Sequence, residues 1–479
     1  MLPRIGLSCE RMWSIMYDLM VIGGGPGGYH AAIYGAQQGL KTALIEKNRL
    51  GGVCLQEGCI PTKSLVHSAE VLRTCREAST FGIDVGSCTV NWDKVQLRKQ
   101  SVVKQLTKGL EQLVPAQGVE VIKGEALLKD VSGPAKEVQV KLSDGGQSAA
   151  NIIIAAGSVP AVPPIPGIDL PGVIGSREAL EIPTVPERLL VVGGGVIGLE
   201  FACIFSAFGS QVTVVEFLPR LLASMDGEIA KRMEAELKRS RIKIHTASRV
   251  TEINRLPEGS LSAVIARGES REAIDADNIL LATGRRPNVE GLGITQTGIE
   301  VSGKGIKVNN RLETSQPGVY AIGDVTGNYL LAHVASAQGM AAVDNILGQT
   351  REMDYSAVPS VVFTHPEAAG VGLTEEEAKA KGIPYKATKF MLGSNSRALT
   401  MGANRGMVKL ITAVPDHRII GAHILGPNAG ELIHELVPAI NTSATAEDIA
   451  HTIHAHPTLS EAVMETAHGV LGKFIHALG

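Results

Sequence analysis

The stretch Tyr17-Asp-Leu-Met-Val-Ile-Gly-Gly-Gly-Pro-Gly-Gly28 decides the fold. Its apolar run reads as a strand buried on both faces, its glycines as a tight turn, and the residues beyond them as a helix. The stretch Glu187-Arg-Leu-Leu-Val-Val-Gly-Gly-Gly-Val-Ile-Gly198 reads the same way. Both carry G-x-G-x-x-G, at Gly23, Gly25, Gly28 and at Gly193, Gly195, Gly198. Each precedes a second strand ending in an acid, Ala43-Leu-Ile-Glu46 and Val214-Val-Glu216. Glycines and acids are offset by the same 170 residues, and Gly39 and Gly209 repeat at that distance too.

Such a unit suits a dinucleotide. The first glycine permits the turn, the second lets the backbone approach a pyrophosphate, and the third lets the helix pack on the strand. Helix N-terminal amides then face the phosphates, and the acid accepts hydrogen bonds from a ribose. Two units imply two dinucleotides, most simply FAD and a nicotinamide. Glu216 would repel a ribose 2′-phosphate, and Phe217, Leu218 and Pro219 come next, with Arg220 the only nearby base. NAD is therefore expected rather than NADP.

Composition agrees. Gly is 54 of 479 residues and aromatics are only 4%, which suits α/β architecture. The net charge of −3, with no long run of one sign, argues against a nucleic-acid surface. Leu189 to Gly209 holds a single charge, Glu200, and a hydropathy window would flag it as a membrane span. The glycines inside it make it a strand and a helix instead. The first 16 residues carry Arg4, Glu10 and Arg11 and no apolar stretch long enough for a secretory signal. The expectation is a disordered extension over 1–15, with Met12 or Met16 as alternative starts, and a cytoplasmic chain with no membrane partner.

Two further strands, Asn151-Ile-Ile-Ile-Ala-Ala-Gly157 and Asn278-Ile-Leu-Leu-Ala-Thr-Gly284, each close a dinucleotide unit. Gly318-Val-Tyr-Ala-Ile-Gly-Asp324 reads as a strand ending in an acid suited to a polyol chain. The expected organisation is an FAD-binding domain over 16–155, an NAD-binding domain over 156–284, a resumed FAD-binding or central part over 285–352, and a C-terminal domain over 353–479.

Cys54 and Cys59 are the only closely spaced pair among six cysteines. C-x4-C is not a usual zinc spacing, and no second pair completes a site. A structural disulfide does not suit a cytoplasmic chain, so a redox disulfide beside a flavin is the remaining chemistry. A helix opened by Pro61 and Thr62, with Lys63 one turn on, would lower a thiol pKa. Near the C-terminus lie His451, His454, His456, His468 and His476. No carboxylate or Cys sits among the first three, and Pro457, directly after His456, breaks any helix, so no metal is expected. Instead His456 pairs with Glu461, five residues on, through a turn over Pro457-Thr-Leu-Ser. A carboxylate on one ring nitrogen fixes the tautomer and leaves the other as a base.

With these motifs assembled, the chain resembles, along nearly its whole length, the disulfide oxidoreductases that use FAD and a pyridine nucleotide. Within them it is similar to the branch that acts on dihydrolipoamide. The matching residues are Gly23 to Gly28, Cys54 to Lys63, Gly193 to Glu200, Thr283-Gly-Arg-Arg-Pro-Asn288, Gly323-Asp324, Leu331-Ala-His333, Phe363-Thr-His-Pro-Glu367 and His454 to Glu461. Gln56-Glu57 and Thr62 depart from the usual pattern without touching the redox groups.

The resemblance implies two Rossmann-like domains and a C-terminal α+β dimerisation domain. It implies that Cys59 faces the flavin, that Cys54 exchanges with the substrate disulfide, and that His456, held by Glu461, takes a proton from the dithiol. Lys63 and Glu200 would pair near the flavin, Asp324 would bind its ribitol, and Glu46 its adenosine ribose. FAD contacts are further implied at Gly124, Gly157 and Ala332, and NAD contacts at Val250 and Gly284. The implied partners are dihydrolipoamide, carried by lipoyl domains of 2-oxo acid dehydrogenase complexes or by a lipoylated carrier protein, and a second copy of the chain, whose Cys pair His456 would reach.

Rival readings lack their residues. A mercuric reductase would carry a C-terminal Cys pair, and no Cys lies beyond Cys203. A glutathione reductase would carry bases after the second acid, and a transhydrogenase would lack the Cys pair. A non-catalytic FAD scaffold would not need Cys54, Cys59, Lys63, His456 and Glu461 together.

Overall fold

The computed structural model describes residues 16–141 and 146–477. The extension expected over 1–15 lies outside the described residues. The chain divides into two compact units. One takes the chain up to Ile60, Ser101–Val159 and Arg285–Met353; the other takes Pro61–Gln100, Pro160–Gly284 and Asp354 onward.

In the first unit, β1 (Tyr17–Ile22) lies between β2 (Thr42–Glu46) and β6 (Gly146–Ile154), parallel to both. Strand Glu120–Lys123 (β3) extends the sheet parallel to β2, while Glu125–Asp130 (β4) and Lys136–Lys141 (β5) continue it antiparallel beyond β6. The short strand Val319–Ala321 pairs with the end of β6. Leu19, Met20 and Val21 are all fully buried, as an unbroken apolar run requires when both faces are covered. Leu19 and Val21 cluster with the helical Ala31, Ala32 and Ala341, and Met20 with Leu128, Val138 and Leu292 on the other face. Helix α1 (Pro26–Gln37) and helix Ala332–Ile346 meet through glycines: a Cβ on Gly339 would stand 2.7 Å from the Gly27 carbonyl oxygen.

The second unit repeats the plan. Strands Lys243–His245, Gln211–Val215, Arg188–Val192, Asn278–Leu281 and Val173–Ile174 form one parallel sheet in that order. The segment flagged for hydropathy resolves into strand Arg188–Val192 and helix Val196–Phe208. No described helix is long and apolar enough to cross a membrane. An antiparallel meander of Arg249–Arg255, Leu261–Arg267 and Ser270–Ala276 comes next. The C-terminal part is a five-stranded antiparallel sheet in the order Ser360–Val362, Glu367–Gly372, Ile419–Gly426, Met407–Ala413, Tyr385–Met391.

This part is tied to helix Gly227–Arg239 by a buried charge cluster. Lys409, whose side chain is 3% exposed, reaches both oxygens of the fully buried Asp226 at 3.0 Å and Glu375 at 2.6 Å. Asp226 also caps that helix by accepting the Glu228 amide at 3.1 Å.

Candidate active site

The two glycine turns are built alike. Gly23 and Gly193 take φ of 106° and 113°, conformations that disfavour any side chain. A Cβ on Gly28 would stand 1.8 Å from the Gly23 carbonyl oxygen, and one on Gly198 2.0 Å from that of Gly193. The third glycine therefore lets each helix seat on its strand. The middle positions are open: a Cβ on Gly195 would meet nothing within 4 Å, and one on Gly25 only the Gly52 Cα at 4.0 Å. Pro26 opens α1 without needing an amide partner. Open cradles facing helix N-termini fit a pyrophosphate at each turn.

The acids have a duty that sequence reading missed. Glu46 Oε2 accepts the Gly24 amide at 2.7 Å and its Oε1 the Asn48 amide at 2.7 Å. Glu216 does the same with the Gly194 amide at 2.5 Å and the Leu218 amide at 2.7 Å. Each oxygen keeps a lone pair for a ribose hydroxyl. Arg220, the lone base beyond Glu216, is occupied by Glu376 at 3.3 Å and by the Ala223 carbonyl at 3.0 Å.

The other expected contact residues have varied surroundings. Gly157 and Gly284, just beyond their strands, have positive φ and open space where a Cβ would stand. The Gly124 amide donates to the Glu46 carbonyl at 3.0 Å. Ala332 opens helix Ala332–Ile346. Val250 is buried among Leu190, Val192 and Val215, a core position.

Asp324 lies in a 3-10 turn, Gly323–Thr326, beyond the strand that ends at Ala321, rather than on the strand itself. Ser158 Oγ donates to Asp324 Oδ2 at 2.5 Å, and Arg285 donates to Ser158 twice, Nε to Oγ and Nη2 to the carbonyl, at 2.7 Å each. Burial holds the Arg285 guanidinium below its usual pKa, against the pull of Asp324. Arg285 stands in a stretch that carried the family resemblance; Ser158 gave no signal.

Cys54 is half-buried on helix α2 (Gly52–Glu57), and Cys59 is the exposed first residue of α3 (Cys59–Glu77), which thus opens two residues before Pro61. Gly58 separates them, where a Cβ would press within 2.9 Å of the Val53 carbonyl oxygen. Gln56, unusual for the family, donates to the Leu50 carbonyl at 2.9 Å and to Thr107 Oγ1 at 2.8 Å.

Lys63 Nζ reaches both oxygens of Glu200 at 2.9 Å. The Glu200 side chain is 4% exposed and that of Lys63 31%. The Phe363 amide also donates to Glu200 Oε1, at 3.1 Å.

The turn expected after His456 leads into helix Glu461–Val470. Glu461 Oε1 lies 2.8 Å from His456 Nδ1, and its Oε2 accepts the Thr458 amide at 2.8 Å. Burial raises the Glu461 pKa, but the Thr458 amide and His456 bring it net below the usual range. An ionised carboxylate only accepts, so Nδ1 carries the hydrogen and Nε2 is the basic nitrogen. The ring is 71% exposed. His454 differs: Glu435 at 2.9 Å and the Thr452 carbonyl at 2.8 Å engage both its nitrogens, and it is buried. His476 is held by Glu465 at 2.7 Å. Among the described residues, no group of three or more His, Cys, Asp or Glu is placed to hold a metal.

Residues 17–339 match the pyridine nucleotide-disulphide oxidoreductase family, and residues 358–467 match that family's dimerisation domain. The chain belongs to the pyridine nucleotide-disulphide oxidoreductases: it is a flavoprotein oxidoreductase that uses FAD and NAD. Several of its full-length curated relatives are dihydrolipoyl dehydrogenases. That of Thermus scotoductus is 43% identical over 96% of this chain and 99% of its own length. Dihydrolipoyl dehydrogenase 1, mitochondrial, of Arabidopsis thaliana is 42% identical over 96% of this chain and 91% of its own. Among solved structures, LpdA from Mycobacterium tuberculosis superposes with a TM-score of 0.88 at 26% identity, covering 95% of this chain and 99% of that one. The HOCl-induced flavoprotein disulfide reductase RclA from Escherichia coli gives 0.83 at 29%, covering 94% and 99%.

Proposed function

We propose that the enzyme oxidises dihydrolipoamide to lipoamide with NAD⁺, as a homodimer in which each active site draws on both subunits. The observation that carries this is the His456–Glu461 pair, with Nε2 left basic, in a chain that also holds the C-x4-C thiols.

His456 Nε2 takes a proton from one substrate thiol. The thiolate attacks Cys54 Sγ, the Cys54–Cys59 bond breaks, and Cys59 leaves as a thiolate. The second substrate thiol then attacks the substrate sulfur of the mixed disulfide, its proton passes to the departing Cys54 thiolate, and lipoamide is released. The start of α3 and Lys63, one turn along it, favour the Cys59 thiolate electrostatically. Bound FAD supplies the two-electron relay from the reduced thiol pair to NAD⁺. Glu46, Asp324 and the first glycine turn would hold FAD; Glu216 and the second turn would hold NAD, with the Glu216 charge disfavouring NADP. Lipoyl domains of 2-oxo acid dehydrogenase complexes, or a lipoylated carrier, would present the substrate. A cytoplasmic setting suits a thiol pair that must cycle.

The test pairs Cys54→Ser subunits with His456→Ala subunits, isolated as mixed dimers through two affinity tags. A C2 dimer has two equivalent sites. If His456 serves the thiol pair of the partner subunit, one site receives both lesions and the other neither. The parent homodimers should be nearly inactive, since a missing base costs about 10²–10⁴-fold. The mixed dimer should recover close to half the dihydrolipoamide:NAD⁺ activity. A mixed dimer as inactive as its parents would overturn the shared site.

A further inference from the structure

We infer that Phe363 is a positioning residue for the redox centre, acting through the Lys63–Glu200 pair. This rests on the proposed function, which sets the Lys63 ammonium to work on the Cys59 thiolate.

Phe363 touches both members of the pair. Its amide donates to Glu200 Oε1 at 3.1 Å, and the Lys63 ammonium stands 4.6 Å from the centroid of its ring. That separation is within the range over which a ring face attracts a cation, about 6 Å. A buried carboxylate needs its acceptor sites filled, and here Lys63 and the Phe363 amide fill them. Lys63 has the opposite problem. Its side chain is 31% exposed against 4% for Glu200, so the lysine is the more solvent-exposed member of the pair. A long lysine stem loses rotamer freedom by staying there. The ring supplies a second attraction from a direction the carboxylate does not cover. Phe363 is itself half-buried and packs against the core cluster that includes Leu65, two residues along from Lys63. The ring is thus anchored, and any substitution retains the backbone amide to Glu200.

The consequence is electrostatic. An ammonium held in one place presents a fixed positive charge to the reduced, more negative state of the redox groups. One released from the ring spreads into water, where its field is screened. Removing the ring should therefore disfavour reduction.

The test is a potentiometric titration of the flavin-loaded dimer, with the long-wavelength absorbance of the two-electron-reduced enzyme as a second readout. Phe363→Leu should lower the reduction equilibrium constant about three- to tenfold, or roughly 15–30 mV for a two-electron couple, and weaken that absorbance. Phe363→Trp should restore both. Phenylalanines carrying one to three ring fluorines at 363 keep the shape while weakening the ring's negative face, so the equilibrium should fall stepwise even if the Leu variant folds poorly. Lys63→Met separates the outcomes. If it lowers the potential while the fluorinated series is flat, Phe363 only packs and the inference fails, with the reading of Lys63 intact. If Lys63→Met also changes nothing, the ammonium is not coupled to the redox groups and both fail.

Discussion

Replacing Glu461 by Gln changes one atom and almost no volume, yet the geometry leaves the amide no good placement. The carboxylate sits between two donors, His456 Nδ1 and the Thr458 amide, each 2.8 Å away. If the Gln oxygen accepts from Thr458, its NH₂ faces the ring. Nδ1 must then become the acceptor and the hydrogen moves to Nε2, the nitrogen that should take the substrate proton. If instead the oxygen faces the ring, the NH₂ meets the Thr458 N–H, an uncompensated clash of donors costing about 1–3 kcal/mol. The first arrangement avoids that cost and should dominate. It removes the base, so kcat/KM for dihydrolipoamide should fall about 10²–10⁴-fold. Oxidation of NADH by an artificial electron acceptor, which bypasses the thiols, should be unchanged. The carboxylate's depressed pKa has a definite sign. Its stabilising contact is present above the unfolded value of 4.5 and is lost only as pH falls through the lower folded value, so across neutral pH it is a constant anion. A Glu461→Gln enzyme within threefold of wild type in dihydrolipoamide oxidation would refute the assignment of Nε2 as the base.

Other variants probe the thiols, the nucleotide acid and the buried charge cluster. Cys54→Ser should abolish lipoamide exchange while Cys59 still perturbs the flavin spectrum, and Cys59→Ser should remove that perturbation as well; full activity in either variant would rule out the disulfide route. Glu216→Ala should weaken NAD binding by about 1–3 kcal/mol, and wild-type kcat/KM should favour NAD over NADP; equal values would reject the role of Glu216. Lys409→Met should cost about 3–5 kcal/mol, because it strands Asp226 without its counter-charge, and adding Asp226→Asn should recover much of the lost Tm. Burial pushes Asp226 up, but His423 and Lys409 pull it net below 3.8, so its contribution is present above that pH and is lost on further acidification, which equilibrium unfolding against pH would track.

Features spelled by neighbouring residues were legible in the sequence. The glycine turns, the strands that feed them and the His456–Glu461 turn each span a few residues and have one sensible backbone geometry. What stayed hidden joins distant residues. Arg285, Ser158 and Asp324 meet across 127 and 166 positions, and Lys409 meets Asp226 across 183. No periodicity connects such pairs; packing does. The acids at the strand ends fall between the two. Their presence was evident at a fixed spacing, but their grip on Gly24 and Gly194 arises from the turn's three-dimensional path. Phe363 stood in a stretch that carried the family resemblance, but nothing in that stretch told of the Lys63 ammonium over its ring.

That grip bears on how the protein acquires its cofactors. Flexible glycines would ordinarily have to be ordered by the ligand, and fixing a residue's backbone costs about 1–2 kcal/mol. Here Glu46 and Glu216 already tether the middle of each turn to the end of the neighbouring strand. Most of that entropy is lost when the chain folds rather than when a dinucleotide arrives. The two turns are preorganised receptors, so stripping the flavin should leave the first turn in shape to take it up again.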